Sequence, residues 1–447
     1  MVVILKYFTM NKIIRPTDIF KDNEIAMEVW NLIENTDQSL FLTGKAGTGK
    51  STLISSILQE TKKNYAIVAP TGIAAKNVDG KTINSLFQLP PTIVKPHSPE
   101  FESIVYNLSK LKFFNELKIL IVDEVSMIHS YTIDCIDKIL RRVRKSNKPF
   151  GGVQVIFVGD LYQLPPVVKG NTLEVLGGDW ESEFFFDAKC LKEMPYKILE
   201  LQKCYRQRDE TFMFLLDAIR DKSITREELD LMNQIFEKNK GKPKENEIIL
   251  TFNNIDAEET NRKNLSELPG AGKAYVGESA EIYDFSRYQA PRNLRLKEGA
   301  QVMFVKNNSS LRYYNGTIGI VKEMNTNSIV VTKEDGVDVE VTRDEWVEFE
   351  YGYDEETGKV TKKEIGLYVQ FPLKLAWAVT VHKSQGLTFQ NIHLNTGNGG
   401  FETGQVYTAL SRCTSLEGVS LERPMFMSDI KVSERVKNFH SRRSLIR

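Results

Sequence analysis

The chain has 447 residues, which predicts roughly two to four domains at about 150 residues each. Hydrophobic residues make up 41% and charged residues 26%, near the soluble globular average, which excludes collagen-like, low-complexity and wholly disordered classes. Lys plus Arg is 59 and Asp plus Glu is 59, so the chain is no bulk polycation, and any anion site must be built locally from placed residues and backbone N–H groups.

The first apolar run, MVVIL, is far shorter than the ~20 residues of a membrane span. It lacks a signal-peptide core, and Asp18, Asp22 and Glu24 follow it, against a transit peptide. The expected location is cytoplasmic, at a bacterial nucleoid, with no membrane partner. The four cysteines form no CxxC pair and the histidines no HExxH spacing, so neither a zinc ribbon nor a zincin motif is present and the thiols read as reduced.

Segments 39–43 (SLFLT), 65–69 (YAIVA), 118–122 (KILIV), 153–158 (VQVIFV) and 197–201 (KILEL) are short and apolar. They predict buried strands. Helical patterns over 50–61 and 132–145 lie between them. Strands alternating with helices predict a parallel sheet covered on both faces. The stretch 81–117, with Pro90-Pro91, Pro96 and Pro99, predicts a loop or hairpin excursion. A second set, 247–252, 299–305, 375–381, 390–394 and 417–421, predicts a second α/β domain. Between about 306 and 370 the strands are short and alternating, with Asn-Gly and Asp-Gly turns. That predicts a small antiparallel barrel inserted into the second domain, its ends close together.

The strongest motif is Gly44-Lys45-Ala46-Gly47-Thr48-Gly49-Lys50-Ser51, a GxxxxGK[ST] sequence between an expected strand and an expected helix. Glycines let the backbone wrap phosphates with its N–H groups, and a helix start favours anions. Lys50 is expected on the β and γ phosphates of ATP and Ser51 on Mg²⁺. KILIV ends in Asp123-Glu124. Carboxylates closing an apolar strand are costly unless they meet water, metal or substrate. Asp123 is expected to hold Mg²⁺, and Glu124 to deprotonate the attacking water. VQVIFV runs into Gly159-Asp160-Leu161-Tyr162-Gln163, where Gln163 can hydrogen-bond a γ-phosphate. Arg206 in KCYRQ and Arg412 in YTALSR are cations of the kind that neutralise transition-state charge, although spacing alone does not select them.

The order GKAGTGKS, APTGIAAKNVDGKTINSLF, VDEVSM, GDLYQLPP, LQKCYRQ, LAWAVTVHKSQGLTF and QVYTALSRCTS resembles superfamily 1 DNA helicases. It is most similar to the Pif (petite integration frequency) branch of superfamily 1B, which is RecD-like. Residues 124–144 resemble that branch's signature after the DE box. The resemblance implies two RecA-like phosphate-loop domains. The first would span 1–195, with a small wedge insertion at about 81–117. The second would span 196–305 and 371–447, interrupted by a Src-homology-3-like insertion over 306–370. It implies a nucleotide site made by Gly44, Ala46, Gly47, Thr48, Gly49, Lys50, Ser51 and Thr52, with Tyr205 stacking on adenine and Gly386 contributing. Gln163 becomes the γ-phosphate sensor, and Arg206 and Arg412 the arginine fingers. Pro70, Thr71 and Asn84 fall in one DNA track, with Phe87 as the duplex-splitting wedge. Asn253, Asn254, Thr380, His382 and Lys383 fall in the second track. Related helicases carry a Gln ahead of the phosphate loop; here 20–30 holds none, and Asn23 is the nearest amide.

The implied activity is ATP hydrolysis driving 5′-to-3′ movement on single-stranded DNA and opening of forked or structured DNA. The implied setting is genome maintenance: replication, repair, recombination, telomere or G-quadruplex handling. A monomer is expected, with a dimer on DNA as the alternative. Two other readings compete: a phosphate-loop switch or small-molecule kinase with a lid, and a nucleic-acid clamp timed by its ATPase. The HKSQG and ALSR segments disfavour the first; only motor output separates the second.

Overall fold

The computed structural model describes residues 23–90, 92–168, 178–244, 247–281, 285–397, 400 and 402–444. The chain divides into two compact units. The first holds the described residues up to Tyr205 together with Glu350–Lys363 and 442–444; the second holds Arg206–Phe349 and Glu364–Ser441.

The first unit runs α1 (Glu24–Asn35), β1 (Leu40–Gly44), α2 (Lys50–Glu60), β2 (Tyr65–Ala69), α3 (Gly72–Asn77), β3 (Lys81–Thr82), α4 (Ile83–Phe87), α5 (Pro99–Glu102), α6 (Leu108–Glu116), β4 (Ile119–Val122), α7 (Ser130–Arg144), β5 (Gln154–Val158) and β6 (Lys197–Leu201). The strands form one parallel sheet in the order β3-β2-β4-β5-β1-β6. β1, β4 and β5 are buried at every position, as central parallel strands require. Alternate residues serve opposite faces. Leu40, Leu42, Ile119, Ile121, Ile156 and Val158 pack with α1 and α2. Phe41 and Phe157 point the other way and each meets the Phe185 ring at 5.1 Å between centroids. α1 buries Ala26, Val29, Leu32 and Ile33, a spacing that gives a helix one apolar stripe. Asn23 caps α1, its Oδ1 accepting from the Ala26 amide at 3.1 Å. The 81–117 excursion carries three short helices over half of its described length and no hairpin among the described residues, and its first residues join the sheet edge as β3.

β6 corrects an expected boundary. A break at 195 leaves KILEL outside the first domain, yet β6 pairs with β1 from Leu40↔Lys197 to Gly44↔Leu201, and the unit continues through Tyr205.

The second unit opens with α8 (Glu210–Asp221), α9 (Arg226–Asn239), β7 (Ile248–Thr251) and α10 (Asn254–Glu267). Antiparallel strands follow: β8 (Lys273–Val276), β9 (Glu278–Ala280), β10 (Asn293–Leu296), β11 (Gln301–Phe304), β12 (Ile318–Met324), β13 (Ser328–Lys333), β14 (Asp338–Thr342), β15 (Asp344–Asp354), β16 (Lys359–Gln370) and β17 (Leu373–Leu375). The chain ends with β18 (Ala378–Thr380), β19 (Ile392–Asn395), α11 (Gln405–Leu410), β20 (Val419–Leu421) and α12 (Glu434–Ser444). A parallel sheet, β18-β7-β19-β20, forms from segments more than a hundred residues apart. Beside it lie antiparallel sheets β14-β13-β12-β11-β17 and β10-β8, and a third with the order β15-β16-β9.

The segment 299–305 does not belong to the parallel sheet. Its strand, β11, pairs antiparallel with β12 and β17. A short, fully apolar run reads alike in either kind of sheet, which is why pattern alone misplaces it. The antiparallel region thus begins near residue 273, earlier than expected. The two ends of the expected 306–370 insertion do lie close together, beside the pair in which Met303 faces Lys374.

Residues 350–363, the tip of the β15–β16 pair, are part of the first unit. Asn64 Oδ1 accepts from the Val360 amide at 2.9 Å and Asn64 Nδ2 donates to the Gly358 carbonyl at 3.3 Å. The buried Tyr351 hydroxyl accepts from the Ile67 amide at 3.1 Å, and its ring stacks on Phe113 at 5.5 Å. Removing the hydroxyl strands a buried N–H, at a cost of about 1–3 kcal/mol. Tyr351→Phe is therefore expected to speed hydrogen exchange at the Ile67 amide by roughly 10-fold or more. An unchanged rate shows that this contact does not protect β2.

Candidate active site

β1 ends at Gly44 and α2 starts at Lys50, so the phosphate loop is the link between them. Gly49 caps α2 in the left-handed region (φ 81°) with no side-chain acceptor for the first-turn amides. The first-turn N–H groups and the helix dipole make an anion seat. Lys50 Nζ folds back over the loop, donating to the Gly44 carbonyl at 2.7 Å and the Lys45 carbonyl at 3.0 Å. Thr48 Oγ1 donates to the same Lys45 carbonyl at 2.9 Å. The loop is thus pre-shaped by its own side chains, with the cation held at its centre.

Asp123 and Glu124 follow β4. Ser51 Oγ approaches Asp123 Oδ2 at 3.5 Å. The Asp123 carboxylate is buried at 6% exposure. Burial, with the Glu124 charge beside it, pushes its carboxyl well above the usual range, and Lys50 and Ser51 offset this only in part. A hydroxyl and a carboxylate held this way form an oxygen pair that fits Mg²⁺. Glu124 sits at the turn itself, in the left-handed region at φ 50°. Gln163 is buried on the turn after β5, where its amide donates to the Asp160 carbonyl at 3.0 Å. Lys50, Ser51, Asp123, Glu124 and Gln163 all follow the C-terminal ends of β1, β4 and β5 in one parallel sheet, the end at which such sheets bind ligands.

Sequence reasoning missed a backbone clasp around the loop. After β6, the Tyr205 amide donates to the Gly47 carbonyl at 2.9 Å, and Cys204 Sγ lies 3.7 Å from the Ala46 carbonyl. A Cβ on Gly44 (φ 151°) would lie 2.6 Å from the Leu201 carbonyl oxygen and 2.9 Å from Thr48 Oγ1. Gly44 is therefore required by close approach as well as by the turn. The Tyr205 ring lies against Gly49, 3.7 Å from where a Cβ would stand. The signal for this clasp was KILEL as a strand continuing into KCYRQ.

Arg206, Gln207 and Arg412 belong to the second unit and gather around residue 411. Arg206 Nη1 and Gln207 Nε2 donate to the Ser411 carbonyl at 2.9 and 3.1 Å. Buried Arg412 donates from Nε to the Thr408 carbonyl at 3.0 Å and from Nη2 to Ser411 Oγ at 2.9 Å. Gln207, buried at 3%, also donates to the Cys413 carbonyl at 2.8 Å. It tethers Arg206 to the Arg412 turn, a role that spacing gave no hint of.

The nucleic-acid positions are more varied. Thr71 is exposed and caps α3 through the Ala74 amide. Asn84 is exposed, with its amide spanning the Leu89 and Pro90 carbonyls. Asn253 caps α10 and bonds Asp256. Thr380 is buried and accepts from the amide of exposed Lys383. His382 Nε2 stands 4.0 Å from Glu402 Oε2, and burial lowers the imidazole's proton affinity. Phe87 does not fit the wedge role. It is fully buried and stacked on Phe114 at 5.4 Å, with its carbonyl accepting from Tyr106. An aromatic in a loop-like, Pro-rich stretch reads as exposed, but here it fills the core beneath α6.

Residues 21–228 match the family described as PIF1-like helicase. The ATP-dependent DNA helicase Pif1 of Bdellovibrio bacteriovorus is 30% identical over 393 residues, covering 86% of this chain and 84% of the relative. The chain belongs to the PIF1-like helicase family. The ATP-dependent DNA helicase PIF1 of Xenopus laevis is 33% identical over 408 residues, 87% of this chain but 60% of the relative. The chain thus spans about three fifths of the length of the vertebrate relatives it matches. The crystal structure of Bacteroides sp Pif1 in complex with ADP-AlF4 superposes with a TM-score of 0.87 at 35% identity, covering 94% of this chain and 96% of that one. With the same identity and coverage, the structure of Bacteroides Pif1 bound to ssDNA has a TM-score of 0.67, and that of two coordinating Pif1 helicases at forked dsDNA a TM-score of 0.68.

Two outcomes test the site within this PIF1-like chain. Gly44→Ala strains the turn and drives a methyl into the clasp, at a cost of order 1–3 kcal/mol. A fluorescent ATP analogue is expected to bind roughly 10-fold or more weakly to it; unchanged affinity removes the clasp from the site. Asp123→Asn deletes a carboxylate that burial destabilises once ionised. Because the folded-state affinity for the proton is raised, that penalty is absent below the ordinary value of 3.8, grows as pH rises from there to about 7, and is fully present above it. Without Mg²⁺, the variant is expected to melt a few degrees above the parent at pH 8 and to match it only below the ordinary carboxylate value of 3.8. A lower melting temperature at pH 8 contradicts the sign.

Proposed function

We propose that this chain is an ATP-dependent DNA helicase that moves 5′ to 3′ on single-stranded DNA and opens duplex or structured DNA. The observation that carries the reading is the phosphate loop with Lys50 at its centre, Ser51 against Asp123, and Glu124 at the next residue, in a chain of the PIF1-like family. In this reading, loop amides and Lys50 bind the β and γ phosphates, and Tyr205 flanks the nucleotide base. Ser51 and Asp123 hold Mg²⁺, which supplies charge neutralisation at the phosphates. Glu124 takes the proton of the attacking water, and Gln163 orients that water against the γ-phosphate. Arg206 and Arg412, carried by the second unit, neutralise charge in the transition state. Gly386 completes the nucleotide contacts.

DNA is proposed to run over Pro70, Thr71 and Asn84 of the first unit and Asn253, Asn254, Thr380, His382 and Lys383 of the second. The exposed amides of Asn84, Asn253 and Asn254, the Thr71 hydroxyl and the Lys383 ammonium suit backbone contacts, which position a strand without reading sequence. The five-stranded antiparallel sheet with the β15–β16 pair is read as the family's Src-homology-3-like insertion. The ssDNA-bound structure of Bacteroides Pif1 and the forked-dsDNA structure of two coordinating Pif1 helicases support single-stranded and forked DNA as partners. Roles in replication, repair, recombination, telomere or G-quadruplex handling, a nucleoid location, and a monomer that pairs on DNA belong to the same proposal.

Strand displacement decides it. A duplex with a 5′ single-stranded tail is expected to open with ATP, and one with a 3′ tail to stay closed. Glu124→Gln is expected to bind nucleotide yet hydrolyse it at least 100-fold more slowly, as loss of a general base costs about 10²–10⁴. Arg206→Ala or Arg412→Ala should cost about 10³–10⁵ in kcat with little change in nucleotide affinity. DNA-stimulated hydrolysis without displacement of either tail supports the clamp, and hydrolysis indifferent to DNA supports the switch.

A further inference from the structure

Where β2 begins, the first unit carries a cavity of about 470 Å³ lined by Lys62, Lys63, Lys359 and Lys362, with Asn64 and Tyr65 among its other walls. Since all six strands of the sheet are parallel, the N-terminal end of β2 lies opposite the end that carries the phosphate loop. The cavity is therefore separate from the nucleotide site.

We propose that this cavity is a second phosphate-binding site, taking the phosphate group of a nucleotide-sized anion, either free or as one unit of a DNA strand.

Charge is the first argument. The chain as a whole is neutral, yet four lysines line one cavity, and no carboxylate lines it among the described residues. Two of the four are spoken for. Lys63 Nζ donates to the Thr36 carbonyl at 2.5 Å and to Gln154 Oε1 at 3.2 Å, and Lys362 Nζ pairs with Asp79. Lys62 and Lys359 have no hydrogen-bonding or ion-pair partner among the described residues. They come from segments almost three hundred positions apart in sequence, and both are exposed. Like charges held around a shared concavity repel one another, and a bound anion relieves the repulsion.

Construction is the second argument. Loose surface lysines do not fix a site, but here both segments are fastened. Asn64 spans the Gly358 carbonyl and the Val360 amide, and Tyr351 receives the Ile67 amide. Lys359 is thus held opposite Lys62 by backbone hydrogen bonds on either side of it. The sign of the charge excludes a metal cation, and the lysine-rich wall excludes an apolar ligand. A volume of about 470 Å³ lies in the usual range for small-ligand sites, enough for one nucleotide unit. Tyr65, half-buried at the rim, is placed to report occupancy.

The experiment uses the full chain with 3-fluorotyrosine at position 65, read by its fluorine resonance. Inorganic pyrophosphate, oligo-dT and a 5′-tailed duplex are titrated separately. The expected result is a saturable shift that is lost in the Lys62→Ala/Lys359→Ala double variant and restored by the Lys62→Arg/Lys359→Arg pair. A shift with pyrophosphate identifies a free phosphate ligand. A shift with DNA alone identifies the strand backbone, and the salt slope of DNA binding then falls by about 2 in the double alanine variant, near 0.9 per lost contact. No shift with any probe overturns the site. A shift that persists in the double alanine variant also overturns it, because the resonance then responds to binding elsewhere.

Discussion

The pairing of β6 with β1 sets the position of nearly everything chemical in the first unit. Five residues of register bring Leu201 beside Gly44, and the backbone that follows lies along the phosphate loop as far as Tyr205. The loop is therefore gripped from outside by a strand that comes more than 150 residues later in the chain. Its shape does not rest on its own glycines alone. Leu201 leaves room only for hydrogen at position 44, Lys50 closes the loop carbonyls, and Tyr205 covers Gly49. A phosphate arriving there meets amides already aligned, so little ordering is left to be done on binding.

A second constraint is electrostatic. Asp123 is buried next to Glu124 without full compensation from Lys50 or the Ser51 hydroxyl. A strongly perturbed buried carboxyl of this kind is characteristic of functional sites. The arrangement around Ser411 differs. Arg206, Gln207 and Arg412 are held by carbonyls and a hydroxyl, all neutral acceptors. These acceptors orient the guanidinium groups.

Much of this was legible in the residues. Fully apolar strands ending in GKS, DE and Q could hardly belong to anything but the crowded end of a parallel sheet, and those positions sit where β1, β4 and β5 end. What escaped were features set by long-range pairing. Nothing local in QVMFV distinguishes a parallel from an antiparallel partner, so β11 was misassigned. The wedge role of Phe87 was implied by resemblance alone, and tertiary packing against Phe114 decides its exposure. The clasp, the Gln207 tether and the docking of residues 350–363 depend on backbone groups, which carry no residue signature.

The clasp also has a use in labelling chemistry. Of the four cysteines, Cys135, Cys190 and Cys413 are buried, and burial raises the proton affinity of each thiol. Thiol reagents act on accessible thiolate, so those three are poor targets at neutral pH. Cys204 is half-exposed and lies against the Ala46 carbonyl of the phosphate loop. A maleimide dye therefore has one favoured point of attachment in the wild-type chain, on the segment that touches the loop. Nucleotide arrival and departure become visible as fluorescence, with no cysteine removed or added.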